Sequence, residues 1–245
     1  MHSLLNVVAI ATFAGVIGTA GGGFLVALIP RPSNRLTGLF LGLSGGIMLS
    51  ITFLDLIPEA LATGFISSSF FGIIAGMALI LSLDYLLPHI HYSSDSKDCH
   101  FKKVGILLGI SIAMHNIPEG FAIGAGFSAE IKLGASLAFI MALHNLPEGL
   151  AMGTMLKCSN TTPGSIIAAT ALAGLPTGIG ALGGHLLGDI SAASLAWALG
   201  LAAGAMLYIT FSELLPDAYS LGERSSASKG IILGVLVALV LTITL

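Results

Sequence analysis

The chain has 245 residues, of which 55% are hydrophobic and 9% charged, with a formal net charge of −3 and 32 glycines. Soluble domains carry charge on about a quarter of their residues, so this composition excludes a soluble globular fold and points to an all-α integral membrane protein. Its two cysteines, Cys99 and Cys158, form no CxxC pair and exclude a disulfide framework.

In chain order, eight apolar runs of about the 20 residues that cross a bilayer are expected as helices, at 4–29, 36–60, 65–89, 103–127, 132–156, 164–187, 194–217 and 230–245. They are too long and too uniformly apolar for barrel strands, and one transmembrane domain spans 1–245. The first, opening "MHSLLNVVAIATFAGVIG", lacks the basic start of a cleaved signal peptide and reads as a retained helix. The second ends in "GIMLSITFLDLIPEA", with Asp55 and Glu59. After the third comes a polar link of about 90–102; His89, His91 and His100 in and beside it suit a metal-capturing vestibule or a solvated loop equally. The fourth and fifth carry "AMHNIPEGFAIG" (113–124) and "ALHNLPEGLAMG" (142–153). The sixth ends near His185, and the seventh contains "GAMLYITFSELLPDA", with Glu213 and Asp217. His185 and Asp84 have no repeat partner and read as hydrated or packing residues.

Orientation follows from the cations. With an external N-terminus, the cytoplasmic links hold Arg31, Arg35, Lys97, Lys102, Lys103, Lys157, Arg224 and Lys229, and the external side only Lys132. That is a strong positive-inside bias and leaves both termini extracytoplasmic. Two repeats accompany it. The HNxPEG segments agree at eight of twelve positions at an offset of 29, and 46–60 agrees with 204–218 at nine of fifteen positions at an offset of 158. Asp55 aligns with Glu213, and Glu59 with Asp217. Helices 2 and 7 run oppositely under the charge assignment, so the plan is a 3+2+3 inverted repeat, a pattern of transporters.

A charged side chain at the bilayer centre costs about 2.5–3.5 kcal/mol. Glu119 and Glu148 lie mid-span with no Lys or Arg embedded beside them. The missing positive charge is therefore read as a mobile cation. His115, Asn116 and Glu119 share one helix face, as do His144, Asn145 and Glu148. Pro118 and Pro147 each loosen a backbone carbonyl, which suits a cavity at this depth. Such nitrogen and oxygen donors suit Zn²⁺, Fe²⁺, Mn²⁺ or Co²⁺, with Cd²⁺ a further candidate. A glutamate on each helix can bridge two ions. The absence of a thiol or thioether cluster argues against Cu(I).

With its paired HNxPEG motifs, eight helices and histidine-bearing 3–4 link, the chain resembles the ZIP (Zrt/Irt-like protein) family of divalent-metal transporters, above all its compact bacterial ZupT-like branch. The resemblance implies that His115, Asn116, Glu119, His144, Asn145 and Glu148 ligate the transported metal, with Glu213 extending the site to a second ion. It also implies metal uptake into the cytoplasm, elevator-like alternating access, a homodimer, and a multi-pass location in a bacterial or archaeal plasma membrane. Asn145 stands where many relatives differ, which weakens the second metal position. Zinc is then substrate, no cofactor is expected, and the partners are metal ions and lipid, without nucleic acid. Two other readings are an intramembrane metal-dependent hydrolase, disfavoured by the lack of HExxH or GxSxG, and a proton-coupled organic-solute carrier. No GxxxxGK[ST] stretch supports ATP-driven pumping.

Overall fold

A computed structural model of the protein describes residues 4–28, 33–86, 97–221 and 223–244. Among these there is no strand. Helix α1 is Leu4–Leu28. Helix α2 runs from Asn34–Ile51 through a π turn, Thr52–Leu56, into Ile57–Ala62. Helices α3, α4 and α5 are Ile66–Leu86, Lys97–Ala129 and Ile131–Cys158. Helix α6 comes in two pieces, Pro163–Gly174 and Pro176–Gly188; α7 runs from Ala192–Ile209 through a second π turn, Thr210–Leu214, into Leu215–Leu221; and α8 is Arg224–Thr244.

Local chemistry sets several of these ends. Ser33 caps α2 by accepting from the Leu36 amide, Thr162 caps α6 ahead of Pro163, and Ser191 and Ser194 form a reciprocal capping box on α7. Gly64, at φ +82°, makes the turn between α2 and α3, a conformation that costs glycine little. Pro176 has no N–H to give the Leu172 carbonyl, and the Leu175 amide takes it instead at 3.3 Å, which divides α6. Helix α8 starts earlier than its apolar run because Ala227 and Gly230 pack on α2 and Arg35 pairs with Glu223. Helix α4 likewise begins at Lys97, inside the stretch read as link.

Among the described residues, five segments are long and apolar enough to cross a membrane: Leu4–Leu28, Arg35–Ala62, Pro163–Gly188, Ala192–Ser220 and Arg224–Thr244. Ile66–Ser82 is apolar but shorter. Helices α4 and α5 carry the HNxPEG segments, whose polar residues lower their hydropathy. Large apolar side chains face outward, Phe13 at 67% and Ile243 at 75% exposure among them, while alanines and glycines fill the interior. This arrangement suits a lipid solvent, in which small residues bring helix backbones together.

Helix α2 packs on α8, α3 on α7, α1 on α5 and α4 on α6, with further contacts of α4 with α5 and of α1 with α6. Thus α1, α4, α5 and α6 form one group; α2–α8 and α3–α7 flank it, touching it mainly through α2–α5 and α4–α7. The closest approaches are made at glycine. Gly42 and Gly46 lie on the backbone of α8, and Gly200 and Gly204 lie on that of α3. Gly72 and Gly76 meet α7, and Gly230 and Gly234 meet α2. Each of these glycines is 158 residues from its counterpart, and so are Thr52 and Thr210, which open the two π turns. Gly120 sits against Thr177 and Gly149 against Thr19, at offsets of 29 and 158.

Candidate metal centre

Helices α4 and α5 each pass through their proline without a break. They bring three ligand-bearing side chains together: the ligand atoms of Glu119, His144 and Glu148 all lie within 4.8 Å of one another. His144 Nε2 is 3.1 Å from Glu119 Oε1 and 3.8 Å from Glu148 Oε1. His144 and Glu148 are one turn apart on α5, and Glu119 faces them from α4. All three residues are fully buried.

The amides beside them are bonded to each other. Asn145 Nδ2 donates to Asn116 Oδ1 at 2.9 Å, and Asn116 Nδ2 donates to the Ala173 carbonyl at 2.8 Å on α6. These bonds fix the face of each motif helix and leave Asn145 Oδ1 as a buried oxygen without a partner among the described residues. Glu119 Oε2, His144 Nδ1 and Glu148 Oε2 are in the same condition. Buried polar atoms are normally paired, and three of these four belong to the clustered side chains of Glu119, His144 and Glu148, which indicates a site built for something that enters it. Their chemistry is that of hard oxygen and borderline nitrogen donors, which fits a divalent cation.

Nothing cationic from the chain supplies that charge among the described residues. Arg35, Lys132, Arg224 and Lys229 are exposed, and Lys157 Nζ donates to the Val26 carbonyl at the end of α1. The carboxylates are paired with the His144 imidazole, and His115 acts electrostatically on Glu148.

The other expected site residues fall elsewhere. His115 is buried on α4, one turn before Glu119, outside the three-residue cluster. Asp55 lies in the first π turn, half-buried, and accepts from Thr242 Oγ1 at 3.0 Å. Glu59 and Asp217 are half-buried in the first turn after each π turn. Glu213 belongs to the second π turn, but its side chain lies outside the described residues, as does that of His100 on α4; His89 and His91 lie outside them altogether. His185 packs on α4, its Nδ1 2.8 Å from Ser128 Oγ, with Asp189 one turn on. Sequence reasoning missed Ser44 of α2, whose Oγ is 3.3 Å from Glu148 Oε1.

Comparison with known proteins agrees with this chemistry. The profile of the ZIP zinc transporter family matches residues 89–242. The chain is 31% identical over 242 residues to the zinc transporter ZupT of Stenotrophomonas maltophilia strain K279a, a match covering 91% of this chain and 90% of that protein. It is 32% identical, with the same coverage, to the ZupT of strain R551-3. Against the zinc transporter ZupT of Escherichia coli K12 / DH10B the identity is 36% over 138 residues, 53% of this chain and 54% of that protein.

Proposed function

The chain belongs to the ZIP family of zinc transporters, and from that premise we propose that it takes up Zn²⁺ through Glu119, His144 and Glu148. It is a multi-pass membrane transporter and not an enzyme. One observation carries the site assignment: two carboxylates are fully buried together without a lysine or arginine among the described residues to neutralise them. A divalent ion that sheds its water against these groups finds two compensating charges and an imidazole. Without such a guest the two charges are costly at this depth.

In this reading His115 and Asn116 complete the ligand set from α4, and Asn145 Oδ1, without a partner among the described residues, offers an oxygen toward a weaker second ion position shared with Glu213. Fe²⁺, Mn²⁺, Co²⁺ and Cd²⁺ are further substrates of the same donor set. Asp55, Glu59 and Asp217 line the approaches. All eight helices span the membrane in a 3+2+3 inverted repeat with both termini external. The common register of 158 residues in glycine contacts and π turns supports that arrangement. Alternating access follows from movement of the α1, α4, α5 and α6 group against α2–α8 and α3–α7, in a homodimer. A discriminating measurement is radiozinc uptake into proteoliposomes by wild type and by the Glu119→Gln/Glu148→Gln double variant. Uptake should vanish in the variant, and wild-type uptake by it would end the assignment.

A further inference from the structure

Ser44 sits within α2, outside the motif helices, and is fully buried. Its Oγ is 3.0 Å from the His144 carbonyl oxygen and 3.3 Å from Glu148 Oε1. Serines inside helices commonly bond back to a carbonyl of the preceding turn, as Ser50 does to Gly46. Ser44 instead directs its hydroxyl to another helix. Both of its neighbours are acceptors and it has one proton to donate, so in the structure that proton is shared. The aligned residue of α7, Ala202, is also fully buried and carries no hydroxyl.

The cluster of Glu119, His144 and Glu148 offers three ligand atoms from the motif helices, and Ser44 approaches it from a helix outside them; zinc is usually held in a tetrahedron. At metal–ligand distances of about 2.0–2.1 Å, tetrahedral ligand atoms stand about 3.3 Å apart. The Ser44 Oγ to Glu148 Oε1 separation, 3.3 Å, has that value. We propose that Ser44 supplies a further ligand of the transported ion, contributed by a helix of the opposite group. With the ion bound, the serine proton goes wholly to the His144 carbonyl and an oxygen lone pair turns to the metal. Metal affinity is then tied to how α2 stands against α5, because one ligand lies on each side of that contact. The inference rests on the transport site proposed above.

The test is made on purified full-length protein in which Cys99 and Cys158 are replaced by serine. Ser44→Ala should raise the half-saturating zinc concentration about tenfold, leaving the amount of folded protein unchanged. Ser44→Cys should bind Cd²⁺ with a cadmium–thiolate absorption band, and its Cd²⁺/Zn²⁺ uptake ratio should rise at least tenfold. An absent band together with a ratio within threefold of wild type overturns the inference, whatever Ser44→Ala does to stability. Glu148→Gln, measured alongside, separates the two levels: its loss of zinc binding without a thiolate band sinks Ser44 alone, and wild-type zinc binding by it sinks the site itself.

Discussion

Glu148→Gln gives the most quantitative test of the buried pair. The amide keeps the size of the side chain and its acceptor toward Ser44, so the change is chiefly one of charge. Glu148 is fully buried, with His144 Nε2 at 3.8 Å. At an effective dielectric constant of about 20, a unit charge about 4 Å away is worth about 4 kcal/mol. Removing one partner of a buried pair costs about 3–5 kcal/mol. The two figures agree and correspond to roughly two to three and a half decades in affinity, at 1.4 kcal/mol per decade. Equilibrium radiozinc binding to detergent-purified protein should therefore show half-saturation displaced by at least about a hundredfold. Glu119→Gln, equally buried, should behave alike. A displacement under threefold in well-folded protein would refute the argument, because it would mean that these carboxylates do not carry the counter-charge.

Other consequences follow from the same features. A methyl added at Gly120 would run into the backbone carbonyl of Thr177, whereas one at Gly164 would meet nothing within 4 Å; Gly120→Ala should cost about 1–3 kcal/mol and lower the thermal midpoint of the purified protein, and Gly164→Ala should not. The loaded centre, two carboxylates around one divalent ion, is close to neutral, while the empty one carries two charges that each cost about 2.5–3.5 kcal/mol at mid-membrane. Radiozinc entry into vesicles preloaded with unlabelled zinc should accordingly exceed entry into empty vesicles, and equal rates would show that return of the empty site is not limiting.

The centre was legible because its chemistry is so ill suited to lipid. Glu119, His144 and Glu148 stand out as polar residues in apolar runs, and the i,i+4 spacing puts His144 and Glu148 on one face. What spacing cannot reveal is how a polar group is occupied. Asn116 and Asn145 read as ligands of equal standing, yet the structure bonds them in series to the Ala173 carbonyl, leaving one amide oxygen unpartnered among the described residues. Ser44 was invisible for the opposite reason: in "GLSGG" it looks like one more small residue at a close helix contact. Only the α2–α5 packing shows its hydroxyl beside Glu148. Nothing in "ITFLDLIPEA" or "ITFSELLPDA" marks a change of helical period, so the aligned segments give no sign of the two π turns.

On the proposed inverted-repeat arrangement, outward and inward states would be related by exchanging the two halves. A chain with identical halves would hold its ion equally well in both states, and net direction would come from the gradient alone. Any sidedness intrinsic to the protein must reside at positions where the halves differ. Phe121 against Leu150 changes packing beside the site, and Asp55 against Glu213 changes the reach of an acid in a π turn. Ser44 against Ala202 differs in kind, because it places a polar atom beside a carboxylate of the centre on one side only. Exchange of the halves would bring Ala202 of α7 toward the α4 carboxylate, where it has no oxygen to offer. The ion would then keep Glu119, His144 and Glu148 but lose the ligand from the opposite group, and so be held less tightly. The same asymmetry that adds a ligand in one state would thus favour release in the other.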